Sequence, residues 1–218
     1  MQEPLSAPSA ASGIARPGAP RIGLLGGSFD PPHLAHLALA RLALGELHLD
    51  ELRWMPAAQP WQKQGRAMSA PEHRAAMVRA LIAGEPRQAV DERELRRGGV
   101  TYTVETLRGC VAEQPEARWF LVIGQDQYGR FDTWREWREI LGLVTLAVAG
   151  RDGQAPQPPS GVAAVPHRIE VLNLPRMDVS ASEIRTRSAL GQPIASLVGE
   201  AVAGYIDRHA LYRGIPRS

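Results

Sequence analysis

Apolar residues along the chain follow two alternating rhythms. Short, dense β-prone runs stand at Ile22 to Leu25, Leu52 to Met55, Trp119 to Ile123, Leu143 to Ala149 and Ile169 to Leu172, with a weaker one at Ala89-Val90. Between them lie longer segments whose apolar positions recur every three or four residues, as on one face of a helix. Leu34 to Leu44 is one such segment; Ala75, Met77, Val78 and Leu81 form another, stopped by Gly84. Ser69-Ala-Pro-Glu72, Thr133-Trp-Arg-Glu136 and Ser180-Ala-Ser-Glu183 each set a hydroxyl ahead of a carboxylate at capping-box spacing. They predict helix starts, because the two side chains can satisfy amides that lack partners there. Ile194, Val198, Val202, Tyr205 and Ile206 predict one or two closing helices docked on the body.

Strands alternating with helices predict an α/β fold, a Rossmann-like doubly wound parallel sheet with helices on both faces. Such sheets bind ligands beyond the carboxyl ends of their strands, where strand order reverses, so the loops after the first and fourth strands carry the expected site. Positions 21–218 suit a single domain. Residues 1–20, rich in Ala, Ser, Pro and Gly without a continuous apolar core, read as a disordered extension and not as a signal peptide. RDGQAPQPPSG, residues 151–161, reads as an exposed, mobile connection.

Charge narrows the function. Lys+Arg 25 against Asp+Glu 23 leaves a formal net charge of +2, too even for a protein built around long nucleic-acid contacts. A locally basic site for a phosphorylated small molecule fits better. The single cysteine, Cys110, cannot form an internal disulfide, which favours a reducing cytoplasm, and no apolar stretch reaches the length of a membrane span. No nucleic-acid or membrane partner is expected; a homo-oligomer is left open.

The densest chemistry lies in GGSFDPPHLAH, residues 26–36. Gly26 and Gly27 follow the first strand and would let the backbone turn tightly beside a bulky anion, although two glycines serve a plain turn as well. A helix starting near Pro32 puts His33 and His36 one turn apart on one face at its positive end, a place for phosphate. As a metal pair they lack further ligands and the glutamate of a zinc helix; Asp30 is the only carboxylate close by, and no protein metal ligand is assigned. The dinucleotide fingerprint G-x-G-x-x-G does not occur here, and a Walker loop is missing.

This stretch resembles the Gly-x-Phe-x-Pro-x-His-x-Gly-His signature of the nucleotidyltransferase superfamily, with Ala35 in place of the glycine between the histidines. DERELRRGGVTYTVETL (91–107), IGQDQYGRFDTWREW (123–137) and VSASEIRTR (179–187) are similar to successive motifs of bacterial nicotinate mononucleotide adenylyltransferases, in family order. The resemblance runs from about residue 21 to the C-terminus. It implies adenylyl transfer from ATP to nicotinate mononucleotide in NAD biosynthesis, giving deamido-NAD and pyrophosphate, with Mg²⁺ arriving on the ATP.

It also implies roles for particular residues. His33, His36 and Arg185 would be catalytic, meeting phosphate oxygens; Gly26, Gly27, Ser28, Phe29, Lys63, Gly124, Asp126 and Ser180 would contact ATP; and Tyr102, Thr103, Trp134 and Arg135 would contact the nicotinate nucleotide. Where the family has Pro-Pro-His-Lys/Arg, this chain has Pro60-Trp61-Gln62-Lys63, keeping the cation and losing the histidine. From local sequence Asp126 reads equally well as a turn aspartate capping amides, and Trp134 as a core tryptophan. Arg135 stands where the family often has a second aromatic, and its charge is expected to favour the acid over the amide. Two alternatives are a phosphopantetheine-type nucleotidyltransferase, against which TYTVETL and FDTWREW argue, and a non-catalytic nucleotide sensor, against which His33, His36 and Arg185 together argue.

Overall fold

A computed structural model describes residues 18–60, 68–150 and 154–213. In chain order the elements are β1 (Arg21–Gly27), α1 (Leu34–Glu46), β2 (Glu51–Pro56), β3 (Gln59–Pro60), α2 (Pro71–Leu81), β4 (Gln88–Val90), α3 (Arg93–Arg97), β5 (Val100–Thr101) and α4 (Thr103–Glu113). They continue with β6 (Arg118–Gly124), α5 (Gln125–Tyr128), α6 (Trp137–Leu143), β7 (Thr145–Ala149), α7 (Ser160–Ala163), β8 (Ile169–Leu172), α8 (Ala181–Ala189), α9 (Ala195–Val198) and α10 (Glu200–Arg208). Each β-prone run is a strand of one six-stranded parallel sheet, ordered β4-β2-β1-β6-β7-β8. The chain winds outward from β1 in one direction and from β6 in the other, so the carboxyl ends of these neighbours part and open a crevice. Beside it, β3 and β5 form a short parallel ladder that the apolar pattern did not predict, with Gln59 opposite Val100 and Pro60 opposite Thr101.

The central strands are buried on both faces, as expected where helices cover both sides of a parallel sheet. Alternation along β6 sends Phe120 and Val122 into a core shared with α1, α2 and the closing helices, through Leu44, Met77, Ile184 and Val202. Leu121 and Ile123 enter the opposite core with Leu107 of α4 and Ile140 of α6. Val198, Val202 and Ile206 dock the final helices as their spacing predicts.

Of the capping boxes, only Ser180 caps as expected: its Oγ accepts from the Glu183 N–H at 3.2 Å. Ser69 does not cap α2, whose N-cap is Ala70 with Pro71 opening the first turn; the Ser69 carbonyl is instead taken by Arg74. No helix starts at Thr133. A 3₁₀ turn, Phe131–Thr133, ends there, Trp134 is extended, Glu136 is left-handed with φ 51°, and α6 begins only at Trp137. The Thr133 hydroxyl donates back to the Arg130 carbonyl at 2.7 Å, closing that turn and leaving Trp134 free to lie on Phe131. Leu143 ends α6 and does not enter the strand.

In the 151–161 connection, 151–153 lie outside the described residues, and Gln157 in the rest is held by Gln125. The Gln125 side chain brackets Gln157, accepting its N–H and donating to its carbonyl, both at 2.9 Å. Residues 1–17 of the expected extension also lie outside the described residues, whereas the Pro20 carbonyl accepts from the Arg118 N–H at 2.7 Å. No described helix is long and apolar enough to cross a membrane.

Candidate active site

The crevice between β1 and β6 is a cavity of about 870 Å³. Its first wall is the β1–α1 connection, with Gly26, Gly27, Ser28, Phe29, His33, Ala35 and His36. Gly26 and Gly27 are not the turn expected of them. They are the last residues of β1, and the reversal falls on Phe29, with φ 49°. Phe29 tolerates this backbone because its ring, 2% exposed, is anchored against Trp54 and the edge of His36. A Cβ on Gly27 would press the Phe29 ring at 3.0 Å, whereas one on Gly26, or on Gly124 at the tip of β6, would meet no protein atom within 4 Å. Both strand tips thus offer bare backbone to whatever fills the cavity. Asp126 lines it beyond β6, and Thr103 and Trp134 line a third side.

His33 is the N-cap of α1, and its backbone N–H donates to His36 Nδ1 at 3.2 Å. The two rings stack with centroids 3.8 Å apart. Because Nδ1 of His36 accepts, a neutral His36 carries its proton on Nε2, which makes Nε2–H its donor. His33 is 8% exposed, and its Nδ1 has no hydrogen-bond partner. Burial pushes its pKa from 6.5 down to about 4, so it is neutral at pH 7. Two stacked imidazoles could hardly both be charged this close.

The depressed value sets a pH dependence. The unfolded chain binds a proton at this residue near pH 6.5 and the folded chain only near 4, so the contribution to stability is complete above 6.5 and is lost as pH falls through that window. Between pH 7 and pH 5, wild type should lose about 2 kcal/mol more stability than His33→Asn, by urea unfolding at each pH. Parallel curves would show that His33 titrates normally.

Behind the first wall lie residues that sequence reasoning missed. Arg74, fully buried, donates to four main-chain carbonyls: Nε to Ser69 at 3.0 Å, Nη1 to Ser28 at 2.8 Å and Ala57 at 2.7 Å, and Nη2 to Ala58 at 3.0 Å. It ties the tips of β1 and β2 to the start of α2. Burial disfavours its charge, and the Asp30 carboxylate nearby offsets that cost. A signal existed, since Arg74 shares the helical stripe of Met77, Val78 and Leu81, where an unburied arginine would not belong. Glu94, 7% exposed, lines the cavity and accepts from Thr106 Oγ1 at 2.6 Å; burial raises its pKa. Nothing in its local pattern marked it.

The remaining expected residues divide. Arg185 reaches the first wall from α8, donating Nη1 to the Asp30 carbonyl at 2.8 Å, but neither it nor Ser180 lines the cavity, whose wall there is Ala181. Trp134 lies on the wall, stacked on Phe131 with centroids 5.0 Å apart, its buried Nε1 without a partner. It combines core packing with cavity exposure. Tyr102, the N-cap of α4, stands behind Thr103. Arg135 does not face the cavity: its guanidinium covers the Tyr102 ring at 4.6 Å and pairs with Glu105 and Glu136. The guanidinium is half-exposed there, outside the cavity lining and over the Tyr102 ring. Lys63 lies outside the described residues. Among the described residues, no group of three His, Cys, Asp or Glu side chains is placed to hold a metal ion.

The chain is similar to known proteins. A cytidylyltransferase-like family model matches residues 24–187. A "Probable nicotinate-nucleotide adenylyltransferase" of Methylibium petroleiphilum is 55% identical over 196 residues, covering 88% of this chain and 92% of the relative. The chain belongs to the nicotinate-nucleotide adenylyltransferases of that family. A Bordetella petrii member of the family with the same description is 49% identical, over 88% of this chain and 99% of its own. In fold the chain also matches the Plasmodium falciparum nicotinic acid mononucleotide adenylyltransferase complexed with NaAD, with a TM-score of 0.73 at 17% identity, over 88% of this chain and 97% of that one. The family match ends at Arg187, so α9, α10 and the closing turn lie beyond it.

Proposed function

We propose that the chain joins ATP and nicotinate mononucleotide into nicotinate adenine dinucleotide and pyrophosphate, as a cytoplasmic enzyme of NAD biosynthesis. The observation that carries this reading is the stacked histidine pair at the start of α1, set on the cavity wall where β1 and β6 part. A phosphate oxygen of the mononucleotide attacks the α-phosphorus of ATP, and the bond to the pyrophosphate oxygen breaks as the new one forms. The nucleophile is already ionised, so no side chain has to remove a proton. Catalysis falls to alignment and to donors aimed at the developing charge.

His33 and His36 supply hydrogen-bond donors, and Arg185, docked on the Asp30 carbonyl, supplies the fixed cation. Gly26, Gly27 and Gly124 let the nucleotide approach bare backbone, Ser28 and Phe29 hold that loop, and Asp126 bonds ribose hydroxyls. Ser180 orders the start of α8 beneath Arg185, and Lys63 adds charge for the triphosphate. Mg²⁺ comes with ATP and, when bound, spreads the charge of the phosphate oxygens. Both carboxylate oxygens of Asp30 are already engaged, by Tyr212 and Ser69, which fits a metal held by phosphates and water.

The pyridine ring stacks on Trp134, beside Tyr102. Its carboxylate meets the positive end of α4 at Thr103, where amides and the helix dipole favour an anion over a neutral amide. Pyrophosphate release with ATP, Mg²⁺ and three acceptors tests the reading. Nicotinate mononucleotide should exceed its amide by about tenfold in kcat/KM, and Trp134→Ala should weaken both alike. Release with phosphopantetheine alone would move the enzyme to that class, and no release with any acceptor would leave a nucleotide sensor.

A further inference from the structure

Asp30 sits between the strand tip and the paired histidines and is 6% exposed. Three remote segments converge on it. Its Oδ1 accepts from the Tyr212 hydroxyl at 2.7 Å across 182 residues, its Oδ2 from the Ser69 N–H at 3.2 Å, and its carbonyl from Arg185 at 2.8 Å. Tyr212 belongs to the closing turn beyond α10, is 6% exposed and holds a left-handed backbone with φ 64°. A side chain that merely plugged this corner would need only a ring. A buried hydroxyl aimed at a buried carboxylate costs stability unless the pair forms, so the pair specifies the orientation of Asp30. Burial raises the Tyr212 pKa, which keeps the hydroxyl a donor.

We propose that Tyr212 is a positioning residue for adenylyl transfer: by holding the Asp30 carboxylate, it fixes the carbonyl on which Arg185 docks, and so sets that guanidinium relative to His33 and His36. The inference rests on the adenylyl-transfer reading of the cavity. With the hydroxyl gone, the carboxylate keeps only the Ser69 amide among these donors, the Asp30 peptide can tilt, and Arg185 leaves its alignment. Small misplacements of charge cost rate more than ground-state binding.

Steady-state kinetics of Tyr212→Phe in the full chain test this, with ATP and nicotinate mononucleotide varied in turn. The expected result is about a tenfold lower kcat with both KM values within about twofold. On an Arg185→Lys background the same substitution should cost less than about twofold, because it acts through that arginine. Should Tyr212→Phe fail to fold, Asp30→Asn carries the same test and should also lower kcat without raising KM. A Tyr212→Phe enzyme with wild-type kcat and only a lower melting temperature would reduce Tyr212 to a plug and overturn the inference. Equal losses with Arg185 and with Lys at that position would overturn it as well. Failure of wild type itself to release pyrophosphate would instead overturn the adenylyl-transfer reading, and the inference with it.

Discussion

His36→Ala is expected to lower kcat by about 10²–10³, equivalent to about 3–4 kcal/mol of transition-state stabilisation, as for loss of one well-placed donor in a preorganised site. Three contacts hold His36 before substrate arrives. Its Nδ1 accepts the His33 amide, its ring stacks on His33, and Phe29 packs against it edge-on. The first contact leaves the proton on Nε2, so the donor needs no reorganisation as charge builds on the phosphate oxygens. Stability should fall by only about 1 kcal/mol, since one hydrogen bond at a helix start is lost and the side chain is half-buried. Steady-state kinetics and thermal melting on the same preparation separate the two effects. Near-normal kcat with a collapsed melting temperature would make His36 a core residue.

Arg74→Met should carry the largest stability loss, about 3–5 kcal/mol by urea unfolding. Methionine keeps the length and apolar character of the stem, so the cost isolates the guanidinium. Replacing a buried ion pair with apolar groups is often harmless because both partners change together. Here four main-chain carbonyls, of Ser28, Ala57, Ala58 and Ser69, stay behind without this donor. The strand tips then lose their common tie, and activity should fall with stability. A loss below about 1 kcal/mol would mean that water replaces the guanidinium at this corner.

The central strands were legible because burial on both faces leaves a continuous apolar run that needs no knowledge of neighbours, as in Trp119 to Ile123. The closing helices were legible for the matching reason, since Val198, Val202 and Ile206 repeat at the spacing of one helical face. Thr133 and Ser69 misled because a capping box is a purely local preference. At Thr133 the packing of Trp134 on Phe131 won; at Ser69, the pull of Arg74 on its carbonyl and of Asp30 on its amide. Arg135 was legible only in part. Its charge was readable, but its place outside the cavity, beside Glu105 and Glu136, was not.

By itself, the sequence determined the alternating α/β order, the strand tips at which a ligand should bind, the paired histidines at a helix start and the family motifs around them. All of these depend on residues close together in the chain, where periodicity and backbone preference act without help. Only the tertiary structure decided that Phe29 and not a glycine makes the turn, that His33 is neutral, that Arg74 ties the strand tips together, and that Tyr212 closes onto Asp30. The sheet winds in both directions from its centre, bringing segments as far apart as 182 residues to one corner. Which of them meet there is settled by packing and by the cost of leaving buried polar groups without partners, and no local pattern records either.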